Sequence, residues 1–283
     1  MSNIQIITDS TNDLTPGMLA EMNVAIVPLY VTFRDRDYKD GVDITPQELF
    51  RLVKEKGFLP KTAAPSPGDF TEVFKTYVEQ GKDVLYIGIS SQISATIRNA
   101  LLAAQEFPKG RIEIVDSLNL SSGIGSLVRL AWIMNQKGVS LGKLAEKVRN
   151  LVPKVQVSFV IDTLEYLYKG GRCNALQRFM GSLFHIHPIV QVTEGKMILA
   201  ENIRGKMRKA VDIMLEKTIE DKDNIGYDTI IITGSEGSEE EAKYLKSKLL
   251  EHTGIENIYL TQAGCVISSH CGPRTIGIIY VRK

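Results

Sequence analysis

The sequence predicts an α/β protein whose N-terminal part contains a parallel sheet. Short apolar runs of strand-forming residues alternate with segments whose apolar residues recur at helical spacing. After Pro153 this alternation changes. Polar residues follow three of the apolar runs, at 9–11, 90–91 and 116–117. We therefore predict a parallel-sheet domain with helices on both faces at residues 1–153, and a smaller mixed-sheet α/β domain at 154–283.

Composition limits the class of protein. The 283 residues are 43% hydrophobic and 24% charged, as in an ordinary soluble globular protein, and the net charge of +1 argues against nucleic acid as a partner. The first residues show no signal-peptide pattern, and no apolar run approaches about 18 residues, so we expect no stable membrane insertion. Cys173, Cys265 and Cys271 form no CxxC pair, which indicates a reducing compartment; we expect a cytoplasmic protein.

The first 153 residues contain clear start signals for helices. Thr15-Pro16 places proline at a first helical position, Thr45 to Glu48 have the spacing of a capping box, and Ser66 to Asp69 are expected to cap another helix. We read Lys61 to Pro65 as an exposed link. The predicted strands are 4–8, 24–33 (followed by a hairpin through the charged turn at 35–37), 84–89 and 112–115, and two further helices are predicted at about 121–136 and 140–151.

The stretch from Val84 to Ala104 organises this part of the chain. A short apolar run ends in Ser90-Ser91, and then Ile93, Ile97, Leu101 and Leu102 recur at helical spacing, so a helix is predicted to begin near Ser94. A strand that ends in hydroxyls before a helix N-terminus is either an anion site or an ordinary capped crossover. Three such polar strand ends lie at one edge of the predicted sheet. They are equally consistent with a polar binding site and with residues that simply form turns and helix caps.

The remaining residues predict a mixed sheet. Asp162 is expected to cap a helix that Gly170-Gly171 ends, and Gly254 is expected to end the helix that a Ser238 to Glu241 box begins. We interpret 268–273 as a polar loop. The predicted strands are 155–161, 187–192, 197–199, 228–233, 256–261 and 276–281, and the helices lie near 175–183, 205–221 and 238–252.

Several residues are candidates for chemistry. Gly88-Ile89-Ser90-Ser91-Gln92 lacks the second glycine of a serine hydrolase elbow, and no phosphate-binding loop motif occurs. His185 and His187 fit two metal ligands on one strand face, but no third ligand is evident, so we expect no metal and no cofactor. Arg172 after two glycines either binds an anion or follows a simple helix stop, and His270 is either a site residue or a surface histidine.

Taken together, these stretches resemble the DegV family of fatty-acid-binding proteins over essentially the whole chain. The resemblance is carried jointly by 7–11, 27–29, Thr62 with 65–67, 89–91 with Ser94 and Thr96, 115–117, 164–172, and His270 with Gly272-Pro273. It implies a two-domain α/β protein that encloses one long-chain fatty acid in a tunnel between its domains. The family's carboxyl-binding Thr and Ser match Thr62 and Ser94, and its Arg and His near the head group match Arg172, Arg204 and His270.

The resemblance also implies a non-enzymatic carrier of the type that presents its fatty acid to a separate fatty acid kinase. An alternative is a serine-dependent hydrolase or acyltransferase that uses Ser94 or Ser90 as nucleophile with His270 as base. The chain departs from the family pattern at several positions, which bears on chain preference and on kinase docking. These positions are Ala63, Ala64, Gln92, Ala95, His187, Cys271 and Arg274.

Overall fold

The structure, a computed structural model, describes residues 3–172 and 186–283. Its described strands form a four-stranded, a three-stranded and a six-stranded sheet. The strands are β1 Ile4–Asp9, β2 Ala25–Val27, β3 Tyr30–Phe33, β4 Arg36–Lys39, β5 Lys61–Ala63, β6 Asp83–Gly88, β7 Ile112–Asp116, β8 Val155–Val160, β9 Ile186–Thr193, β10 Lys196–Arg204, β11 Ile225–Gly234, β12 Asn257–Gln262 and β13 Ile276–Arg282.

Helices connect most of these strands, as predicted. Most of the boundaries lie close to those expected from the sequence. The helices are α1 Pro16–Glu21, α2 Pro46–Lys56, α3 Pro67–Glu79, α4 Thr96–Ala104, α5 Ser122–Asn135, α6 Leu141–Leu151, α7 Glu165–Lys169, α8 Met207–Glu220, α9 Glu239–Thr253 and α10 Cys265–Cys271.

The N-terminal sheet is parallel throughout, in the order β2-β1-β6-β7, and helices cover both of its faces. On one face, Phe70 and Phe74 of α3 pack with Ile97 of α4 against Tyr86 of β6. On the other face, α5 and α6 share a core that continues into the mixed sheet. The predicted parallel α/β architecture is confirmed, and α5 lies between the two sheets because its residues are apolar or small nearly all round.

Two local predictions in the N-terminal half were wrong, and the buried face of a third element differs from the expected one. The extended run at 24–33 is two strands in different sheets, since Pro28 has no N–H to continue a ladder. The predicted link after Pro60 contains β5, which pairs with β3, so Thr62 lies on a strand. Helix α4 begins at Thr96, close to the predicted start near Ser94, but Leu101 and Leu102 are half exposed while the small residues Ala100 and Ala103 face the core.

The C-terminal sheet is mixed, in the order β10-β9-β8-β13-β11-β12. The predicted hairpin is present as β9 and β10, which pair antiparallel across Thr193 and Lys196. Helices α8 and α9 pack on one face of this sheet around Met214 and Leu249. The predicted helix at 175–183 lies outside the described residues, and the domain boundary near 153 stays a prediction.

Three predictions for the C-terminal half need correction. Asp162 does not cap α7, because the Thr163 hydroxyl accepts the Glu165 N–H at 3.2 Å there. Ser238 forms no capping box, since its hydroxyl donates to the Ser235 carbonyl at 2.6 Å. Residues 268–273 are not a polar loop: the chain is helical through Cys271, because the backbone N–H groups at the start of α10 find buried acceptors.

A buried carboxylate joins the ends of the two central parallel strands. Asp9 ends β1, and its side chain accepts hydrogen bonds from the Thr11 N–H (3.0 Å), the Ile89 N–H (2.9 Å) and the Tyr86 hydroxyl (2.8 Å). Gly88 must be small, since a Cβ there would lie 2.2 Å from the Tyr86 hydroxyl oxygen. Asp9, which ends β1, therefore hydrogen-bonds to other groups of the fold and is not free for a ligand. Burial raises the pKa of Asp9 despite these hydrogen bonds.

We predict that Tyr86→Phe lowers the free energy of unfolding by about 1–3 kcal/mol, because it removes a donor to a buried carboxylate while keeping the ring. The ring itself stays packed against Phe70, with centroids 5.1 Å apart. The measurement is urea denaturation followed by circular dichroism. Tyr168→Phe, at a position that is 50% exposed, is the matched control and should be neutral. Equal stability of Tyr86→Phe and wild type would contradict this role of Asp9.

Candidate functional site

A largely apolar cavity lies between the two halves of the chain. It holds about 900 Å³ of space free of protein atoms, including space open to solvent. Four of its described lining residues are Thr62, Ser94, Arg172 and His270, which the sequence singled out. The apolar side chains of its lining are Leu29, Ala63, Ala64, Ile89, Ile93, Leu120, Val157, Phe159, Leu167, Met197, Ala263, Val266, Ile267 and Ile279.

Helix α10 brings His270 to this cavity, and two buried carboxyl groups hold the N-terminus of the helix. Asp40, directly after β4, accepts the Cys265 N–H at 2.8 Å and the Val266 N–H at 3.2 Å. Asp13 accepts the Gly264 N–H at 2.8 Å. The first N–H groups of a helix have no partner within the helix, and the positive end of its dipole favours an acidic acceptor. We call these contacts of Asp13 and Asp40 the α10 clamp.

Burial dominates the ionisation of both clamp residues. It raises the pKa of Asp13 to about 8, against the opposing effect of hydrogen bonds from Ser121 and Gly264. It also raises the pKa of Asp40, although two backbone N–H groups bond that carboxyl group. Neither Asp13 nor Asp40 was predicted to have this role from the sequence. Asp40 directly follows a strand of a hairpin, where aspartate is common in turns. Its sequence context therefore gives no indication of its contact with Cys265, 225 positions away.

His270 contacts Thr62 directly. The His270 Nε2 atom lies 2.8 Å from the Thr62 hydroxyl oxygen, which joins α10 to β5 across the cavity wall. Burial, with a smaller effect of the Arg172 charge, lowers the pKa of His270 to about 4, so the imidazole is neutral at pH 7. The Nδ1 atom is buried without a hydrogen-bond partner among the described residues. His270 is thus a partly buried helical residue that lines the cavity, and not the surface histidine that was the alternative to a site residue.

Gly170 makes room for the His270 ring. A Cβ at Gly170 would lie 2.2 Å from His270 Nδ1, so any side chain there would displace the imidazole. Arg172 follows after one residue, is exposed, and donates from Nη1 to the Gly170 carbonyl at 2.8 Å. The double glycine that the sequence suggested as a helix stop does end α7, and it also allows His270 to approach α7 closely.

Ser94 lies just before α4 and lines the same cavity. Its hydroxyl lies 2.7 Å from the Thr96 hydroxyl, and the Thr96 N–H donates to it at 3.3 Å. Ser94 is half buried and Thr96 fully buried, so the pair fixes where the Ser94 oxygen lies. Arg204 is not among the described residues that line the cavity; it is exposed at the end of β10.

The serine and histidine candidates for a hydrolase do not meet in the described part of the chain. Ser90 is fully buried, and its hydroxyl donates to the Gly195 carbonyl at 2.8 Å. Ser94 bonds to Thr96, and His270 bonds to Thr62. A nucleophile needs its base within hydrogen-bonding reach, and that base needs a group that orients it. In the described part of the chain, neither Ser90 nor Ser94 has His270 as a hydrogen-bonding partner.

The positions that depart from the family pattern lie in different places. Cys271 lines the cavity, and burial raises the pKa of its thiol to about 12. Arg274 has a φ of +57° and donates its N–H to the Glu236 carbonyl at 2.8 Å. Gln92 is exposed, and Ala95 precedes α4 without a side-chain cap.

His187 and His185 were considered as a pair of metal ligands, although no metal was expected, and His185 lies outside the described residues. His187 Nδ1 lies 3.5 Å from an Asp162 carboxylate oxygen. Within 3–172 and 186–283, no three or more His, Cys, Asp and Glu residues come together as a metal site would require. A search of the same residues finds no helix of the length and apolarity needed to cross a membrane.

Comparison with known proteins gives matches along the whole chain. A family model described as the DegV family matches residues 3–283. A DegV domain-containing protein of Caldanaerobacter subterraneus is 31% identical over 287 residues, covering 100% of both chains. A structure described as fatty acid binding of a DegV family protein from Thermus thermophilus has 34% identity and a TM-score of 0.89, covering 100% of both chains.

A second solved structure is similar in the same way. It is described as a stearic acid-binding protein from Eubacterium ventriosum, with 26% identity and a TM-score of 0.87. The match covers 99% of this chain and 98% of that one. The agreement confirms the predicted α/β fold, with its parallel sheet, its mixed sheet and helices on both sides.

We predict that Asp13→Asn flattens the pH dependence of stability between pH 6.5 and 8. A carboxyl group whose pKa is raised to about 8 holds its proton in the folded state while the unfolded group, at 3.8, has lost it. The stabilisation is complete below pH 3.8 and is lost as the pH rises through 8, with a slope of up to about 1.4 kcal/mol per pH unit.

The lowered pKa of His270 acts in the opposite direction, mainly between about 4 and 6.5, and because both proteins contain His270 its effect cancels in their comparison. The measurement is urea unfolding of wild type and Asp13→Asn at several pH values from 6.5 to 8. Parallel profiles for the two proteins would show that Asp13 does not carry a raised pKa.

Proposed function

The chain belongs to the DegV family, and from that premise we propose that it binds one long-chain fatty acid in the cavity between residues 1–153 and 154–283, which we take as its two domains. The observation that carries this proposal is the cavity lining, in which apolar side chains predominate and the hydroxyls of Thr62 and Ser94 are among the polar groups. Similar proteins described as binding fatty acids, one of them stearic acid, support it.

The tail supplies most of the affinity in this proposal. A tail of about 16 carbons gains up to ~12 kcal/mol from burial at ~0.8 kcal/mol per methylene. Ordering of the tail and of the side chains around it reduces the net value well below this figure. The polar groups of the cavity contribute less, and their task is to set the direction in which the acid lies.

The neutral His270 makes Thr62 a donor to the carboxylate. With its proton on Nε2, the imidazole donates to the Thr62 oxygen, and the Thr62 hydroxyl hydrogen is free to point at the ligand. With the proton on Nδ1, Thr62 would donate to Nε2 and offer a carboxylate only lone pairs. Binding of an anionic head group therefore selects the Nε2–H tautomer. His270 acts through Thr62 in this scheme.

Ser94 provides the second hydroxyl. Its oxygen already accepts the Thr96 N–H, so the Ser94 proton is available either to Thr96 Oγ1 or to a ligand oxygen. When Ser94 donates to the carboxylate, the Thr96 hydroxyl can donate to Ser94, and a chain of two hydroxyls ends on the anion. Such charge-assisted bonds are stronger than neutral ones.

The protein, in our proposal, is a cytoplasmic carrier that presents its acid to a separate fatty acid kinase. Arg172 is exposed at the cavity and carries a positive charge that a phosphorylated carboxyl group would attract. Arg204, exposed on β10 and apart from the cavity lining, is proposed as a partner contact and not as a ligand contact. The free buried thiols of Cys265 and Cys271 suit a reducing compartment.

We predict that Thr62→Ala and Ser94→Ala each weaken binding of palmitate to delipidated protein by roughly 10- to 100-fold. Each removes a hydrogen bond to a charged group, worth about 1.5–3 kcal/mol. The measurement is isothermal titration or displacement of a fluorescent fatty acid. Thr62→Ser keeps the hydroxyl and should bind nearly as wild type.

Ser91→Ala is the matched control for Ser94→Ala. Ser91 is exposed, and it contributes its backbone N–H, not its hydroxyl, to the contact with Asp116. Unchanged palmitate affinity in Thr62→Ala, in Ser94→Ala and in the double variant would contradict the proposal that these two hydroxyls bind the carboxylate. Hydrolysis of an ester substrate that Ser94→Ala or Ser90→Ala abolishes would favour the hydrolase alternative.

We predict that Arg172→Ala retains palmitate affinity within about threefold, because the tail dominates binding, but loses acyl phosphate formation with a cognate fatty acid kinase. His270→Ala, in contrast, should weaken palmitate binding in addition to losing acyl phosphate formation, because it removes the hydrogen bond that orients the Thr62 hydroxyl. Lys169→Ala is the control: it removes an exposed cation three residues away that pairs with Glu165. Wild-type phosphorylation of acid bound to Arg172→Ala would contradict the role of this charge.

A further inference from the structure

The turn between β9 and β10 reaches across to the loop that precedes α4. The Ser90 hydroxyl donates to the Gly195 carbonyl at 2.8 Å, and the same oxygen accepts the Gln92 N–H at 3.1 Å. Ser90 is fully buried, which is unusual for a serine in a loop. The contact joins the parallel-sheet half to the mixed-sheet half, and nothing in the head-group scheme uses it.

Ser90 also builds the turn that ends at Ser94. Its carbonyl accepts the Ile93 N–H at 3.2 Å and the Ser94 N–H at 3.1 Å, while its own N–H donates to the Asn119 carbonyl at 2.9 Å. The backbone N–H and C=O groups and the hydroxyl of Ser90 are thus all bonded. Because the Ser94 N–H is hydrogen-bonded to the Ser90 carbonyl, we expect a shift of Ser90 to move the Ser94 hydroxyl as well.

The other side of the contact requires a glycine. Gly195 has a φ of +80°, and a Cβ there would lie 2.5 Å from Ser90 Oγ, 2.9 Å from Gln92 Cγ and 3.1 Å from Leu118 Cδ2. Two residues further on, Met197 lines the cavity. The same hairpin therefore lines the cavity through Met197 and contacts the loop that carries Ser94.

We propose that the Ser90–Gly195 contact is a latch that sets the position of Ser94, which makes Ser90 and Gly195 positioning residues for the carboxyl group. The inference rests on the proposed fatty acid binding. A contact that merely held the two halves together would affect every ligand of the cavity equally. A latch acting through Ser94 affects ligands with a carboxylate and spares those without one.

The experiment compares palmitic acid with hexadecanol, which has the same tail and no carboxylate. We expect Ser90→Ala and Gly195→Ala to weaken palmitate binding by about three- to tenfold, as expected for a misplaced hydrogen bond, and to change hexadecanol binding less than twofold. Ser90→Cys, which keeps a weaker donor, should recover part of the loss. Ser91→Ala, at the exposed neighbour, should bind both ligands as wild type.

A double-mutant cycle tests the route through Ser94. In a Ser94→Ala background, Ser90→Ala should cost no further palmitate affinity. Equal losses for acid and alcohol, full additivity with Ser94→Ala, or an unchanged acid preference in both latch variants would each overturn the latch. A wild-type protein that binds hexadecanol as tightly as palmitate would instead overturn the head-group proposal, and the latch with it. Circular dichroism confirms that each variant is folded, and Gly195→Ala tests the contact independently should Ser90→Ala fail to fold.

Discussion

The site depends on one contact, the α10 clamp, in which Asp13 and Asp40 accept the first backbone N–H groups of α10. The clamp joins three segments far apart in the chain: the turn after β1, the strand pair β3–β4 and the helix before β13. It fixes the helix that delivers His270 to Thr62. Burial of the two carboxyl groups raises the pKa values of Asp13 and Asp40. The helix that they hold places the His270 imidazole against the Thr62 hydroxyl on β5.

The polar residues of the chain divide into two groups with different tasks. Those at the ends of the parallel strands, such as Asp9 and Ser90, bond to backbone and to buried hydroxyls and so assemble the fold. Thr62 lies on β5, which pairs with β3, and the backbone N–H of Ser94 bonds to the Ser90 carbonyl. Both residues line the cavity. In the function that we propose, the apolar lining provides the driving force for binding a long tail, and the hydroxyls of Thr62 and Ser94 orient it.

The sequence predicted the fold class and four of the cavity residues, because periodicity and capping are local and the family resemblance spans the chain. It failed where distant partners decide the structure. Residues 268–273 looked like a polar loop, but the carboxyl group of Asp40 stabilises a helix there. Lys61 to Ala63 looked like a link, but pairing with β3 makes it a strand. Neither Asp13 nor Gly170 carries a local signal of its contact with α10.

The most direct test of fatty acid binding is native mass spectrometry of the purified protein, followed by extraction and identification of the released molecule. The account predicts one long-chain fatty acid per chain, held in the wild type and depleted in the Thr62→Ala, Ser94→Ala double variant. A protein that carries no lipid and takes up none when offered palmitate, or one that releases only a molecule without a carboxyl group, would contradict it.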